Sequence, residues 1–421
     1  MAADSAVTIS PSGTSKIYNT ANKLFTLSKY HPVGIMVYGT AELMGIPWET
    51  VIKIYRRGLH VQHFGSLIQF AEHFFSFLES NRSLFPDEAR ESTFLSACEY
   101  ILSIIVKTIQ DNVKREIDDH GAVDDDGVDR LVKEAVESEV REWDSSYHRL
   151  DCFPEGFEEA LIVRYGAALN GLVDRLFGQL PISDVREQLL TICASRATKN
   201  WWSLSAGGIV IAGFGQNDTF PAAHTFTVEF IVHDRLKREH VDSMSYDINI
   251  TGGSTIIPFA QAEIVHRFIR GIDPEYKREQ MSFLRNLLTS EYPVQLLQQF
   301  QARLTEEERR DIQAEIIRMG RAVLSQYDEQ WSAWEHGKFI APVLDIVGSL
   351  PKEDLAEMAE SLVNLTSFKR KITAEAETVG GPIDVAVISK GDGFIWIKRK
   401  HYFNKDLNPT FFANYFRRDE P

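Results

Sequence analysis

The chain has 421 residues, of which 44% are hydrophobic and 25% are charged, enough to build a sizeable core in two or three structural units. Its 60 acidic and 45 basic residues give a formal charge of -15, which argues against nucleic acid as the main partner because the overall field repels phosphate backbones. Three widely spaced cysteines argue against a disulfide framework and favour a reducing compartment.

The apolar runs predict no contact with a membrane. Residues 208–214 form one of the longest runs, far below the ~20 residues that a spanning helix needs. The first residues hold no basic region followed by an apolar stretch, which a signal peptide would require. We therefore expect a cytoplasmic protein.

The first half of the chain begins with strand-like sequence over residues 1–40, including the short apolar run V-G-I-M-V-Y-G at residues 33–39. Helical sequence follows over residues 41–200, where apolar side chains recur every three or four positions. The clearest examples are Phe70, Phe74, Phe77, Ile101, Ile105 and Ile109. The acidic run at residues 118–129 predicts a solvated connection between helices. It fails as an EF-hand, because with Gly127 at the turn the first calcium ligand would fall on Ala122.

The second half returns to strand-like sequence over residues 207–255, with a short strand at residues 208–213. A second helical block covers residues 276–373, where Thr305 and Glu308 form a capping-box pattern and Pro351 marks the start of the last long helix. Strand-like sequence fills residues 380–400. Asp392-Gly393 predicts a tight hairpin turn there, between strands at residues 383–388 and 394–397.

A β core interrupted by long helical blocks favours one α+β domain that carries insertions. We expect the domain to be built from about residues 1–60, 200–275 and 350–400. The helical insertions would then cover residues 61–199 and 276–349, and residues 401–421 would form a C-terminal tail.

Metal and cofactor sites are disfavoured by the sequence. His60, His63 and His73 have Glu72 as an acidic neighbour, but zinc needs three or four converging ligands, so histidines on a helix face near an aromatic core are the better interpretation. Residues 213–215 lack the third glycine of a dinucleotide loop. We expect no cofactor and no metal.

Six segments, taken in chain order, resemble landmarks of proteasome-type and HslV-type subunits of the N-terminal-nucleophile (Ntn) hydrolase superfamily. They are A-D-S-A-V-T at residues 3–8, N-K-L-F at 22–25, the strand and glycine at 33–42, the strand at 208–214, T-G-G-S at 251–254 and the Gly-Gly turn with its strand at 378–388. The resemblance implies a four-layer αββα sandwich of antiparallel sheets. It covers about 150 residues, and the helical blocks lie mostly outside it.

The resemblance also implies a threonine-type peptidase site. In this family an N-terminal threonine attacks the amide bond and its own α-amine accepts the proton, while a lysine charge lowers the pKa of both groups. Residue by residue, Asp4 matches the aspartate that holds this lysine, Lys23 matches the lysine, and Gly39 matches the glycine whose N–H binds the oxyanion. Ser254 is a looser match to the serine beside the nucleophile.

Substrate-binding residues follow from the same match. Thr8 corresponds to the position whose backbone pairs with an extended substrate. Val7 and Val37 would line an apolar pocket for the residue before the scissile bond.

The chain departs from the family pattern in two places. The strand that carries the threonine is expected to precede Ala2, so we expect the sequence to be truncated at its N-terminus and inactive in this form. The aspartate and serine expected before the Gly-Gly turn are replaced by Ala376 and Val379, with Glu375 or Glu377 as conjectural substitutes.

Two functions remain open at this point. One is a threonine-type amide hydrolase that acts on peptides or proteins. The other is a catalytically silent scaffold or interaction subunit, in which amphipathic faces of the helical blocks bind a partner protein or form a homo-oligomer.

Overall fold

The computed structural model describes residues 1–9, 16–299, 304–373, 379–401, 403–410 and 413. The strands are β1 (Ala2–Ala3), β2 (Val7–Ile9), β3 (Lys16–Tyr18), β4 (Leu24–Thr26), β5 (Val33–Tyr38), β6 (Glu42–Leu43), β7 (Ile46–Pro47), β8 (Gly207–Gly213), β9 (Ala222–Val232), β10 (Arg235–His240), β11 (Tyr246–Asp247), β12 (Asp384–Ser389) and β13 (Gly393–Lys398). The helices are α1 (Trp48–Leu59), α2 (Leu67–Ser80), α3 (Asp87–His120), α4 (Asp125–Ser146), α5 (Phe157–Phe177), α6 (Arg186–Thr198), α7 (Ile248–Thr251), α8 (Glu263–Arg270), α9 (Pro274–Asn286), α10 (Tyr292–Gln298), α11 (Glu306–Glu335), α12 (Ala341–Val347) and α13 (Lys352–Ile372).

The chain is an α+β protein with antiparallel sheets, which confirms the expected class. It divides into two compact units. Unit 1 comprises residues 1–20, 251–387 and 397–421, and unit 2 comprises residues 21–250 and 388–396. The organisation as one domain with two insertions stays a prediction.

Unit 2 is built around an antiparallel sheet with the strand order β10-β9-β8-β5-β4. The predicted strands at residues 33–39 and 208–213 are confirmed as β5 and β8, which pair from Val33–Gly213 to Tyr38–Gly208. Alternate side chains of both strands, Ile35 and Ile211 among them, share a buried core with Trp48 of α1 and Phe74 of α2. The period-two alternation therefore turns one face of the sheet toward these two helices.

A second core in unit 2 lies among helices α3 to α6 and receives Phe230 from β9. The predicted spacing on α3 is confirmed, because Ile101, Ile105 and Ile109 are all buried there. By length and composition alone α3 could cross a membrane, and a third of its most apolar stretch is buried in the protein. The side of α3 that carries Ile101, Ile105 and Ile109 packs into the second core.

The structure changes the bounds of two local predictions for unit 2. The first helix was expected from about residue 41, but β6 and β7 form a tight turn first, with Met44 and Gly45 at φ 50° and 80°, and α1 starts at Trp48. The acidic connection is also shorter than expected, since α3 runs to His120 and α4 starts at Asp125. The acidic side chains suit the N-terminus of α4, where the Asp124 carboxylate accepts from the Gly127 N–H at 2.8 Å.

Unit 1 joins the start of the chain to its last third. β1 pairs antiparallel with β12, with Ala2 opposite Val385, and β2 pairs with β3. β12 and β13 form the predicted hairpin, whose residues 388–396, including Gly393 at φ 80° in the turn, belong to unit 2. Within the predicted strand-like stretch at residues 207–255, residues 248–251 form the helix α7 instead, which belongs to unit 2 up to residue 250.

The long helices of unit 1 carry the predicted cap and two π-helical turns. The Thr305 hydroxyl accepts from the Glu308 N–H at 3.3 Å, and α13 starts directly after Pro351 as expected. The π turns Leu287–Glu291 and His336–Ile340 each run into a helix with proline at its second residue, Pro293 or Pro342. Proline has no N–H and displaces the preceding turn, so the wider π turn accommodates it.

Candidate functional site

Unit 2 holds two of the predicted catalytic residues on adjacent strands. Lys23 is half-buried just before β4, and its carbonyl accepts from the Val37 N–H of β5 at 2.8 Å. Gly39 is exposed two residues further along the chain, at φ 80°. A side chain at this position would approach the Ala206 carbonyl to 3.3 Å, so both conformation and space favour glycine. The pairing of β4 with β5 thus brings Lys23 and Gly39 to the same end of two strands.

Val37 is a buried residue of the core of unit 2. Its side chain is 3% exposed and belongs to the cluster beneath α1 and α2. In this arrangement the side chain faces other core residues and offers no surface to a substrate.

Asp4 lies in unit 1, where it orders the Gly-Gly turn. One oxygen of its carboxylate, Oδ2, accepts from the N–H groups of Ala6 and Gly380, both at 3.0 Å. The neighbouring Ser5 strengthens this connection, because its hydroxyl donates to Pro382 O at 2.5 Å and its N–H donates to Gly380 O at 3.0 Å. Residues 376 positions apart are therefore joined by a compact set of hydrogen bonds.

The remaining predicted residues also lie in unit 1. Val7 is half-buried in β2, and Thr8 pairs with Ile17 of β3, so one edge of this short strand is already used. The Ser254 hydroxyl donates to the Leu344 carbonyl near the end of α12. Its hydroxyl thus stabilises a helix end in this structure.

The four residues predicted to be catalytic are divided between the units. Lys23 and Gly39 come together in unit 2, whereas Asp4 and Ser254 occupy unit 1 with separate partners. The conjectural substitutes Glu375 and Glu377, with Ala376, lie outside the described residues.

A buried charged cluster in unit 2 was missed by the sequence analysis. The Glu229 carboxylate of β9 lies between two cations, accepting from Arg196 Nη1 of α6 at 3.0 Å and facing Lys237 Nζ of β10 at 3.1 Å. All three side chains are at most 2% exposed. The Ser203 N–H also donates to Glu229, at 3.2 Å.

Two tryptophans cover the cations of this cluster. The Arg196 guanidinium lies 4.6 Å from the ring centre of Trp201, and the Lys237 ammonium lies 4.8 Å from that of Trp202. Lys237 Nζ also donates to Arg196 O at 2.9 Å and to Trp201 O at 2.5 Å. The cluster therefore fixes the loop that connects α6 to β8 and ends beside Gly39.

The ionisation of the cluster is set by opposing effects. Burial lowers the pKa of Lys237 to about 7, although the Glu229 charge acts in the other direction. Burial opposes ionisation of Glu229, but the charges of Lys237 and Arg196 outweigh it and lower the pKa of the carboxyl. The three acceptors around Nζ match the three donors of an ammonium group, so Lys237 makes its full set of hydrogen bonds when it is protonated.

The histidines near residues 60–73 are hydrogen-bonded to neighbouring side chains and are not arranged as metal ligands. Ser28 Oγ lies 2.7 Å from His31 Nδ1, and His31 Nε2 lies 3.1 Å from His63 Nδ1. The Tyr55 hydroxyl lies 3.0 Å from His73 Nδ1. Burial and the adjacent His63 lower the pKa of His31, so His31 favours its neutral form. In the part of the chain that the structure describes, no group of three or more His, Cys, Asp or Glu side chains has the arrangement of a metal site.

The three cysteines and an apolar groove along α3 and α4 have the character of structural rather than catalytic features. Cys98 and Cys193 are buried, Cys152 is half-buried, and burial raises the pKa of both Cys98 and Cys152. A groove of about 380 Å³ runs along α3 and α4, lined by aliphatic side chains and by Gln110 and Lys114. Its lining suits packing rather than catalysis.

No protein-family model, no curated protein and no solved structure matches this chain.

Proposed function

We propose that the chain belongs to the proteasome-like branch of the Ntn hydrolases, with a four-layer αββα core, and that its site supports threonine-type hydrolysis of peptide amide bonds. The observation that carries this proposal is the pairing of the segments that resemble the family. Residues 3–8 bond to the Gly-Gly turn through Asp4, and residues 22–25, 33–42 and 208–214 form the adjacent strands β4, β5 and β8. Segments that resemble successive landmarks of one fold are thus neighbours in space within each unit.

In the proposed chemistry the nucleophile is the hydroxyl of an N-terminal residue, and Lys23 and Gly39 of unit 2 support it. A hydroxyl nucleophile transfers its proton to the α-amine of its own residue and attacks the substrate carbonyl. The Lys23 charge lowers the pKa of that amine, so the amine is neutral at pH 7 and can accept the proton, and the Gly39 N–H stabilises the oxyanion. The amine then protonates the leaving group, and water hydrolyses the resulting ester.

The loop next to Gly39 gives this end of the sheet a defined shape. Arg196 of the buried cluster contacts the ring of Trp201, and Glu229 accepts from the Ser203 N–H. Ala206 O, further along the same loop, lies beside Gly39. A fixed loop supports the proposal, because an oxyanion donor must keep its position during the reaction.

The proposal is tested by turnover of the mature protein purified from its native source. We expect hydrolysis of small peptide amides with an apolar residue before the scissile bond, and a loss of at least about a hundredfold in kcat/KM for Lys23→Ala. The matched control is Lys107→Ala, an exposed lysine on α3, which should leave the rate unchanged. Absence of turnover, or equal rates for both variants, would favour the silent interaction subunit.

A further inference from the structure

Helix α11 exposes large apolar side chains along one side. Ile312, Met319, Val323 and Trp334 are 39%, 58%, 55% and 52% exposed. Their spacings of 7, 4 and 11 residues keep them on one stripe of a 3.6-residue helix, about 33 Å long. We call this stripe, with the four intervening small or amide residues Ala322, Gln326, Gln330 and Ala333, the outer face of α11.

The opposite side of α11 is already occupied within unit 1. Gly320 lies so close to Leu288 of the preceding π turn that a Cβ would approach its carbonyl oxygen to 2.6 Å. The Tyr327 hydroxyl accepts from Gln280 at 3.3 Å, and Leu324 is 8% exposed. A helix with apolar residues on both sides is normally covered on both. The exposed apolar side chains of the outer face therefore suit a surface that contacts another protein chain.

The outer face is also uncharged between Met319 and Trp334. At about 100° per residue, Arg321 and Asp328 fall on other sides of the helix, and Glu329 falls about 20° beyond Ala322, just outside the edge of the sector. Glu315 lies within the stripe between Ile312 and Met319, where Arg318 compensates its charge through a contact of 2.9 Å. Two copies of this face can meet without like-charge repulsion, and the glutamine amides can donate to and accept from each other.

The size of the outer face matches a stable dimer. Its large side chains and their neighbours offer on the order of 700 Å², close to the ~800 Å² per partner that a standard interface buries. The Trp334 ring is held edge-to-face by Trp331 at 5.2 Å, so part of the surface is already ordered. An ordered aromatic side chain loses little entropy on association.

We propose that the outer face of α11 binds the same face of a second copy of the chain in a two-fold interface. Such an isologous contact requires a surface that is complementary to itself, which an uncharged stripe flanked by amides provides. The proposal does not depend on the proposed hydrolase site.

The test is the molar mass of the full chain in solution, measured by sedimentation equilibrium over a concentration series. We expect a dimer, twice the 47.9 kDa of the chain. Val323→Glu should raise the dissociation constant at least about a hundredfold, because the charge enters the interface twice. The matched control is Val163→Glu, the same change at an exposed valine of α5 in unit 2, which should leave the dimer intact.

A second pair of variants distinguishes a weakened dimer interface from a misfolded chain. Gln326→Lys places two like charges across the interface and should weaken the dimer, whereas Ser325→Lys, on another side of α11, should not. Circular dichroism confirms that each variant is folded. A monomeric wild-type chain at about 100 μM, or a dimer that both Val323→Glu and Gln326→Lys leave intact, would overturn the proposal.

Discussion

Replacing Glu229 by glutamine removes the negative charge between the two buried cations of unit 2. The glutamine keeps the shape of the side chain and its acceptor for the Ser203 N–H. Arg196 and Lys237 would then face each other without the carboxylate that now contacts both, at 3.0 and 3.1 Å. The change is therefore nearly isosteric but leaves Arg196, and Lys237 in its protonated form, without a counter-charge in the core.

The expected cost follows from this burial. Breaking a buried ion pair by removing one partner costs about 3–5 kcal/mol, because the remaining charge has lost its solvent and its counter-charge. The retained hydrogen bond from Ser203 places the change near the lower end, at about 3 kcal/mol. A loss of this size is a large part of the ~5–15 kcal/mol that stabilises a typical domain.

Urea unfolding followed by tryptophan fluorescence measures this loss, since Trp201 and Trp202 cover the cluster. Adding Lys237→Met to Glu229→Gln should recover part of the stability, because one of the two cations is gone. Glu99→Gln, an exposed acid that pairs with Arg175, should leave the unfolding midpoint unchanged. The reasoning is refuted if Glu229→Gln unfolds at the same urea concentration as the wild type.

Two further changes test single features of the structure. The pKa of Lys237 is lowered to about 7 in the folded state, so the unfolded chain binds this proton more tightly than the folded chain does. The free energy of unfolding therefore falls as the pH falls from about 10 toward 7. Lys237→Met removes this group and should flatten the pH dependence of the stability. Equal pH profiles for wild type and variant would show that the ammonium stays charged in this range. Asp4→Ala should lower the free energy of unfolding by about 1–3 kcal/mol, since the N–H groups of Ala6 and Gly380 lose their acceptor. Asp4→Asn, which keeps one acceptor oxygen, should lose less, and equal losses would contradict this role.

Local features of the fold could be predicted from the sequence. The Asp392-Gly393 turn and the Thr305 cap each depend on a few adjacent residues, and both are confirmed. The turn at Met44 and Gly45 was missed because a non-glycine residue with positive φ gives no clear signal in the sequence.

The candidate site could be predicted only in part. The pairing of β4 with β5 places Lys23 near Gly39, and the sequence had singled out both. The buried cluster was missed because its partners Arg196, Glu229 and Lys237 lie on three elements, and their contact depends on tertiary packing. A signal was nevertheless present, since Glu229 interrupts an apolar strand where a charge needs a partner.

The most direct test of the hydrolase proposal is the site at which the mature protein, purified from its native source, reacts with an electrophilic peptide. The probe should carry an apolar residue before a group that bonds both a hydroxyl and the neighbouring amine, so that only an N-terminal nucleophile forms the cyclic adduct. The proposal predicts one adduct per chain, mapped by mass spectrometry to the N-terminal residue and lost in Lys23→Ala but retained in Lys107→Ala. Absence of an adduct, or an adduct at an internal side chain such as Cys152, would contradict the proposal.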